Sequence, residues 1–322
     1  MERGRGGART AAVGLLAGLG VLLSAGSAAG AFPGRNGDIA MARELKTKSG
    51  DRIARIVLMD PHGKNVRQLP SPDAKSYEVP LDFSADGRTL LFTAKAAFFV
   101  MRVDGTHRRR IPNASGHLGA RLAPGGRRIV FTNAFDGHVT LIDVDGRHRR
   151  ELPYRGESPA FSPDGRRIAF TLVNESAPQD RQIYVVNADG THLRQLTFHN
   201  SEGFGENNST PDWSPDGREI AFDSTRGGGS GIYVMKADGS KLRRLTNIDP
   251  GPGTHPTTVR SDIDTHAIFS PNGSKIVFSR VFQDDNGDHW QTWLMNADGS
   301  RQHRLSIGGL GDHGAVWAPI PR

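Results

Sequence analysis

The chain contains no cysteine in 322 residues. That excludes disulfides, thiolate metal sites and cysteine nucleophiles, although it does not exclude export. Long apolar runs are also missing. The longest, Ala11 to Leu23, has about 13 residues, short of the roughly 20 that a membrane-spanning helix needs. Charge of one sign is only mildly in excess, with a formal net charge of +7. What is abundant is glycine, 40 residues, with 19 prolines, a composition that suits a turn-rich β protein.

The apolar run sits in a targeting pattern. Arg3, Arg5 and Arg9 precede it, and Ala29-Gly30-Ala31 follows as a small-x-small cleavage signal. Residues 1–31 are therefore expected to be a signal peptide, leaving a mature chain that starts at Phe32. An uncleaved anchor is the competing reading. Without the segment the formal charge falls to +5, and no integral membrane segment remains.

Two motifs alternate along 32–322. The first reads PAFSPDGRRIAFT at 159–171 and recurs at 81–93, 120–132, 211–223 and 267–279. The second reads IYVVNADGTHLRQLT at 183–197 and recurs at 56–70, 98–112, 139–153, 232–246 and 292–306. Each is a β-hairpin. In Ser162-Pro163-Asp164-Gly165, proline fixes φ, aspartate suits the third turn position, and glycine accepts the left-handed conformation that closes the loop. The flanks alternate with period two, as in Ile168 and Phe170 or Tyr184 and Val186. Six residues after the glycine of the second motif stand Leu69, Ile111, Leu152, Leu196, Leu245 and Leu305. A hit in every copy at one offset marks a repeat.

Two hairpins per unit make a four-stranded sheet, with strands A to D. Units recurring every 39 to 56 residues are the spacing of propeller blades; a stacked solenoid is the weaker alternative. The mature chain opens on a turn and strand B at Gly34 to Met41, with no strand A before it. It ends on a strand A, with Trp317 in register with Trp213 and no strand B after it. The expected fold is thus all-β: a six-bladed propeller of four-stranded antiparallel blades whose first blade is closed by the C-terminal strand.

The opening FPGRNGDIAMA, the SPDG…IAF hairpins and IYVMKADGSKLRRLT resemble the TolB-like propeller family, relatives of WD repeats. The resemblance covers 32–322. It implies the fold but no particular function. Family members of Gram-negative envelopes carry an α/β domain before the propeller and work with lipoprotein partners. With residues 1–31 read as a signal peptide and the repeats starting at 32, no such domain is expected before the propeller, and those contacts are not carried over. Related propellers precede serine-peptidase domains, but the run around Ser230 lacks a nucleophile elbow.

The A–B and C–D turns are tight and share one face; the longer B–C and D–A connections share the other. Binding residues gather on such loops. The D–A segments lead to the channel mouth and place there Glu78, His117, Glu157, Asn208, Asp264, His266, Asp312 and His313. The three histidines with Asp264 and Asp312 could converge on a divalent metal; polar residues lining a hydrated channel are the plainer expectation. Asp284, Asn286 and Asp288 alternate as calcium ligands do, without the glycine and closing glutamate of an EF-hand. Arg67, Arg109, Arg150, Arg194 and Arg243, with His303 in the sixth copy, recur on strand D, where charge discourages edge-to-edge aggregation. Spread around the circumference, they do not form a nucleic-acid surface.

The functional expectation is an exported, monomeric, non-catalytic binding or scaffolding module, with no required cofactor, for an envelope or extracellular protein, peptide or glycan. The alternative is a metal-dependent polysaccharide lyase or hydrolase at the channel mouth. The fold does not choose between them.

Overall fold

A computed structural model describes residues 32–116, 119–174, 177–198, 206–226, 230–247, 263–284, 287–305 and 311–320, without the side chains of 174, 177–179, 283, 284, 287 and 288. It is an all-β propeller of antiparallel sheets. The first sheet holds β1 (Arg35–Lys46), β2 (Arg52–Met59) and β3 (Arg67–Gln68). The second holds β4 (Glu78–Phe83), β5 (Thr89–Ala94), β6 (Ala97–Arg102) and β7 (Arg109–Ser115).

The third is a seven-stranded sheet of β8 (Arg121–Leu122), β9 (Arg128–Thr132), β10 (His138–Asp143), β11 (Arg150–Phe161), β12 (Arg167–Asn174), β13 (Ala177–Asn187) and β14 (Arg194–Gln195). Two further four-stranded sheets follow. One is β15 (Asn208–Trp213), β16 (Glu219–Ser224), β17 (Gly231–Lys236) and β18 (Arg243–Arg244). The other is β19 (Ile263–Phe269), β20 (Lys275–Asp284), β21 (Gly287–Asn296) and β22 (His303–Arg304). The last strand, β23 (Asp312–Ile320), joins the first sheet beside β1.

The expectation of six separate four-stranded blades is corrected here. Among the described residues, four sheets have four strands, and one has seven. The cause lies in β11, which runs unbroken from Arg150 to Phe161. It pairs with β10 through Glu151 and Arg155 and with β12 through Gly156 to Phe161. The D–A connection between these two units is therefore itself strand, too short to leave the sheet.

The first strands of successive units touch one another in turn: β23 with β4, β4 with β8, β8 with β11, β11 with β15, β15 with β19, and β19 with β23. They are the innermost strands. β23 lies along β1 with Trp317 opposite Ile39 and Val316 opposite Ala40. One hydrophobic cluster joins these residues to Met41, Phe83, Leu90 and Val277, and so spans three sheets. At Gly87, whose φ is +66°, a Cβ would lie 2.1 Å from the carbonyl oxygen of Pro319. The turn of the second sheet thus rests directly on the C-terminal strand, and only glycine fits there.

The recurring strand-D arginines do more than guard an edge. Arg109 donates to the carbonyl of Val144, Arg194 to Ala237 and Arg243 to Ala297, each in the C–D turn of the next unit. Arg150 donates likewise to Asp189. These are clasps between neighbouring units. Arg243 also lies 3.7 Å from Glu219. Arg243→Ala is expected to cost about 1 kcal/mol, one hydrogen bond from a charged donor. A denaturant midpoint equal to that of the parent protein would show that the clasp contributes nothing.

Candidate functional site on the loop face

The inner strands share a local irregularity. Each of the ladders β4–β5, β11–β12, β15–β16 and β19–β20 is broken by a register shift, as is β1–β23. Ser158, Thr210 and His266 sit at these bulges with φ of 51°, 50° and 57°, at the register where Gly119 and Gly314 also have positive φ. Such conformations cost non-glycine residues of order 1–2 kcal/mol, so the packing around them has to impose them. The bulge turns the mouth residues off the regular alternation.

Most of the mouth residues are committed to partners. Asp264 holds Arg280 through both oxygens, at 2.6 and 2.8 Å. Asp312 holds Arg43 at 3.1 and 3.4 Å. Glu78 accepts from Arg108 at 2.6 Å and from Ser71 at 2.7 Å. Glu157 lies 3.1 Å from Arg181, and Asn208 donates to Gln182 at 3.0 Å. At the equivalent register of β11 stands Gly156, where a Cβ would lie 2.4 Å from the Phe170 ring, so no side chain fits. His117 and Asn286, with the side chains of Asp284 and Asp288, lie outside the described residues.

The two remaining histidines flank an indole. The Trp290 ring is 6.5 Å from His266 and 5.7 Å from His313. Burial, with the fields of Arg121 and His313, pushes His266 down to about 3, so it is a neutral ring at physiological pH. His313 Nε2 lies 2.8 Å from the Tyr77 hydroxyl, which donates to Glu44. Burial raises the Glu44 carboxyl, but hydrogen bonds from His313 and Tyr77 outweigh it and leave its pKa lowered. Burial and the adjacent Glu44 raise Tyr77, which therefore stays protonated and acts as a donor. Among the described residues, the group whose donor atoms lie close enough to share a metal is a different one: Asp136, His138 and Glu151.

Deeper along the inner strands lies a cluster not anticipated from the sequence. Asp82, Arg121 and Asp212 each stand one residue before the core residue that ends their strand: Phe83, Leu122 and Trp213. Ala160, Ile268 and Val316 hold that register in the other units, and all six are buried. Asp82 accepts from the backbone N–H of Phe83 and, across the unit boundary, of Leu122, both at 2.8 Å. Asp212 accepts from Phe269 N–H in the next unit at 2.9 Å. Arg121 donates to the carbonyl of Leu81 at 3.2 Å, while its Nε and Nη2 have no hydrogen-bond partner. Burial raises Asp82 to about 7 against the attraction of Arg121, and raises Asp212 as well. It lowers Arg121 to about 10, still a cation at neutral pH. A charge at this register in three units was the available signal.

An open concavity of the loop face lies elsewhere, between the two units that share β11. It is a cleft of about 520 Å³ lined by His138, Tyr154, Arg155, Asp180, Gln182, Tyr184 and Gln195, among others. The Tyr184 hydroxyl donates to Gln195 at 2.8 Å and the Tyr154 hydroxyl to the Gly190 carbonyl at 3.2 Å, which fixes both rings. Phe135, in the turn leading to His138, is 88% exposed, and Phe198, on the same face, 59%. Among the described residues no helix is long and apolar enough to cross a membrane.

Comparison with known proteins agrees with this architecture. Residues 150–256 match the TolB beta propeller domain. The chain is 31% identical over 167 residues to the uncharacterized protein Atu1656 of Agrobacterium fabrum, across 49% of this chain and 50% of that protein. It is 30% identical over 168 residues to the Tol-Pal system protein TolB of Anaeromyxobacter dehalogenans, across 49% of this chain and 36% of that one. The matches thus span half or less of these relatives' lengths. The crystal structure of TolB from Acinetobacter baumannii superposes with a TM-score of 0.69 at 19% identity, over 88% of this chain and 67% of that one. A repeated SPDG hairpin, inner strands touching in sequence and these relatives together support a TolB-like β-propeller.

Proposed function

We propose that the protein is an extracytoplasmic, non-catalytic binding module that receives a protein partner on its loop face, at the cleft between the units sharing β11. One observation carries this reading. The mouth carboxylates of Asp264, Asp312 and Glu78 are taken up by Arg280, Arg43 and Arg108, whereas the cleft is lined by fixed tyrosines and amide side chains, and Phe135 stands exposed in the turn that leads to its lining residue His138. Rigid aromatic surface beside hydrogen-bonding groups is the composition of protein-binding surfaces. The leader pattern in residues 1–31 supports export. The TolB relative, a protein of the Tol-Pal system by name, supports a protein as the ligand class.

The scaffold of this reading is a closed six-unit ring. Counting the seven-stranded sheet as two units that share β11, and counting β23 as the inner strand of the first, supports that number.

The test is a photo-reactive phenylalanine analogue at Phe135, compared with the same analogue at His62 on the turn face, in chains exported by the source cells. An envelope protein cross-linked from position 135 alone, on a mature chain whose N-terminus is at or near Phe32, is expected. Cross-linking from position 62 instead, or retention of residues 1–23, would sink the corresponding half of the reading.

A further inference from the structure

We propose that Asp136, His138 and Glu151 form a divalent-cation site of zinc type on the rim of the loop-face cleft. The inference is independent of the partner-binding reading, since the ion would bind whether or not a partner does.

The three side chains offer one imidazole nitrogen and two carboxylate oxygens, all within 4.8 Å of one another. Two ligands at about 2.1 Å on a tetrahedral ion sit about 3.4 Å apart, so small side-chain rotations close the set. An imidazole with two carboxylates is a donor set that suits zinc.

The backbone presents these groups by specific devices. The turn before β10 is closed by Gly137 N–H on the Asn133 carbonyl at 2.8 Å, with Gly137 at a φ of 74°. One Asp136 oxygen, Oδ1, accepts the His138 N–H at 3.0 Å, which holds the carboxylate beside the ring and leaves the other oxygen available. In the β10–β11 ladder, His138 pairs with Arg155 and Thr140 with Glu151, with a register shift between them. This bulge brings Glu151 to the His138 end of the strand. Arg149 lies 2.6 Å from Glu151 Oε1, so Oε2 is the oxygen free for an ion.

The imidazole adds a second, separate indication. His138 Nδ1 is buried and has no hydrogen-bond partner, although Asp136 Oδ1 lies 3.3 Å away. A buried imidazole nitrogen without a hydrogen bond is a group that calls for a partner, and a cation between it and the two carboxylates supplies one. His138 also lines the cleft, so the site borders it, and three protein ligands would leave a tetrahedral ion one position for an exogenous ligand.

The experiment uses the mature chain, free of any histidine tag and stripped with chelator, titrated with Zn²⁺ against a chromophoric chelator. About one zinc per chain is expected, with His138→Ala and Glu151→Gln each weakening it about tenfold or more. His107→Ala, an exposed histidine in another unit, leaves it unchanged. Melting curves of each variant confirm folding, and Glu151→Gln, at an exposed position, keeps the test valid if His138→Ala misfolds. Absence of stoichiometric zinc, or equal affinity in parent and Glu151→Gln chains, overturns the site and leaves a salt-bridge network around Arg149.

Discussion

Arg121→Met is expected to destabilise the protein by about 3–5 kcal/mol at pH 8, the cost of leaving buried charge without its partner. The size follows from position: Arg121 is fully buried, and its field acts on Asp82 and Asp212. The effect should shrink towards pH 5. A carboxyl whose folded pKa is raised binds its proton more tightly in the native state, so Asp82, at about 7 against an ordinary value of 3.8, makes the protein less stable as pH rises through that interval. Without the guanidinium both carboxyls rise further, and the variant then folds with them protonated, which it can do only at lower pH. Adding Asp82→Asn and Asp212→Asn to Arg121→Met should recover most of the loss at pH 8. Urea titrations at the two pH values read all three quantities. A deficit independent of pH, or no recovery in the triple variant, would mean that Arg121 acts through its carbonyl contacts alone.

Removing residues 311–322 is expected to abolish the single cooperative melt, and Trp317→Ala alone to cost about 3–5 kcal/mol. Termini usually tolerate loss, but here the indole is 3% exposed, opposite Ile39 and in a core shared with Phe83 and Val277. Truncation also strips β1 of a ladder partner and leaves an open edge. Calorimetry of truncated and full-length chains decides the matter; equal midpoints would show that β23 adds nothing to the ring.

The hairpins were legible because turn chemistry and alternation are local. Pro163-Asp164-Gly165 fixes a turn wherever it stands, and the buried Leu69, Leu152 and Leu305 occupy the register the repeat assigns. The fusion of two units through β11 was not legible, since it depends on the geometry of a connection whose residues, Arg155 to Ser158, carry no strand signature. His266, Asp264 and Asp312 were assigned to the mouth from register alone; the arginines that engage the two carboxylates come from strands β20 and β1, and no spacing within a D–A segment points to them. Asp82, Arg121 and Asp212 were passed over because period-two alternation marks their register as interior and therefore apolar. Their charges are tolerated because Arg121 and the two carboxylates offset one another and backbone N–H groups of adjacent units meet the carboxylates. The strand-D arginines were noticed, yet their reach to the next unit's turn becomes visible only when units lie side by side.

The continuity of β11 also has a mechanical consequence. At the other joints neighbouring units meet through side-chain packing and isolated hydrogen bonds rather than a continuous ladder. Across β11 the hydrogen-bond ladder continues from β8 to β14, and hinging there would break backbone pairs. Opening at the joint beneath the cleft is therefore expected to be rarer than at the remaining joints. A cleft wall from Tyr154 to Tyr184 held at fixed width would, for the partner proposed above, select by dimensions.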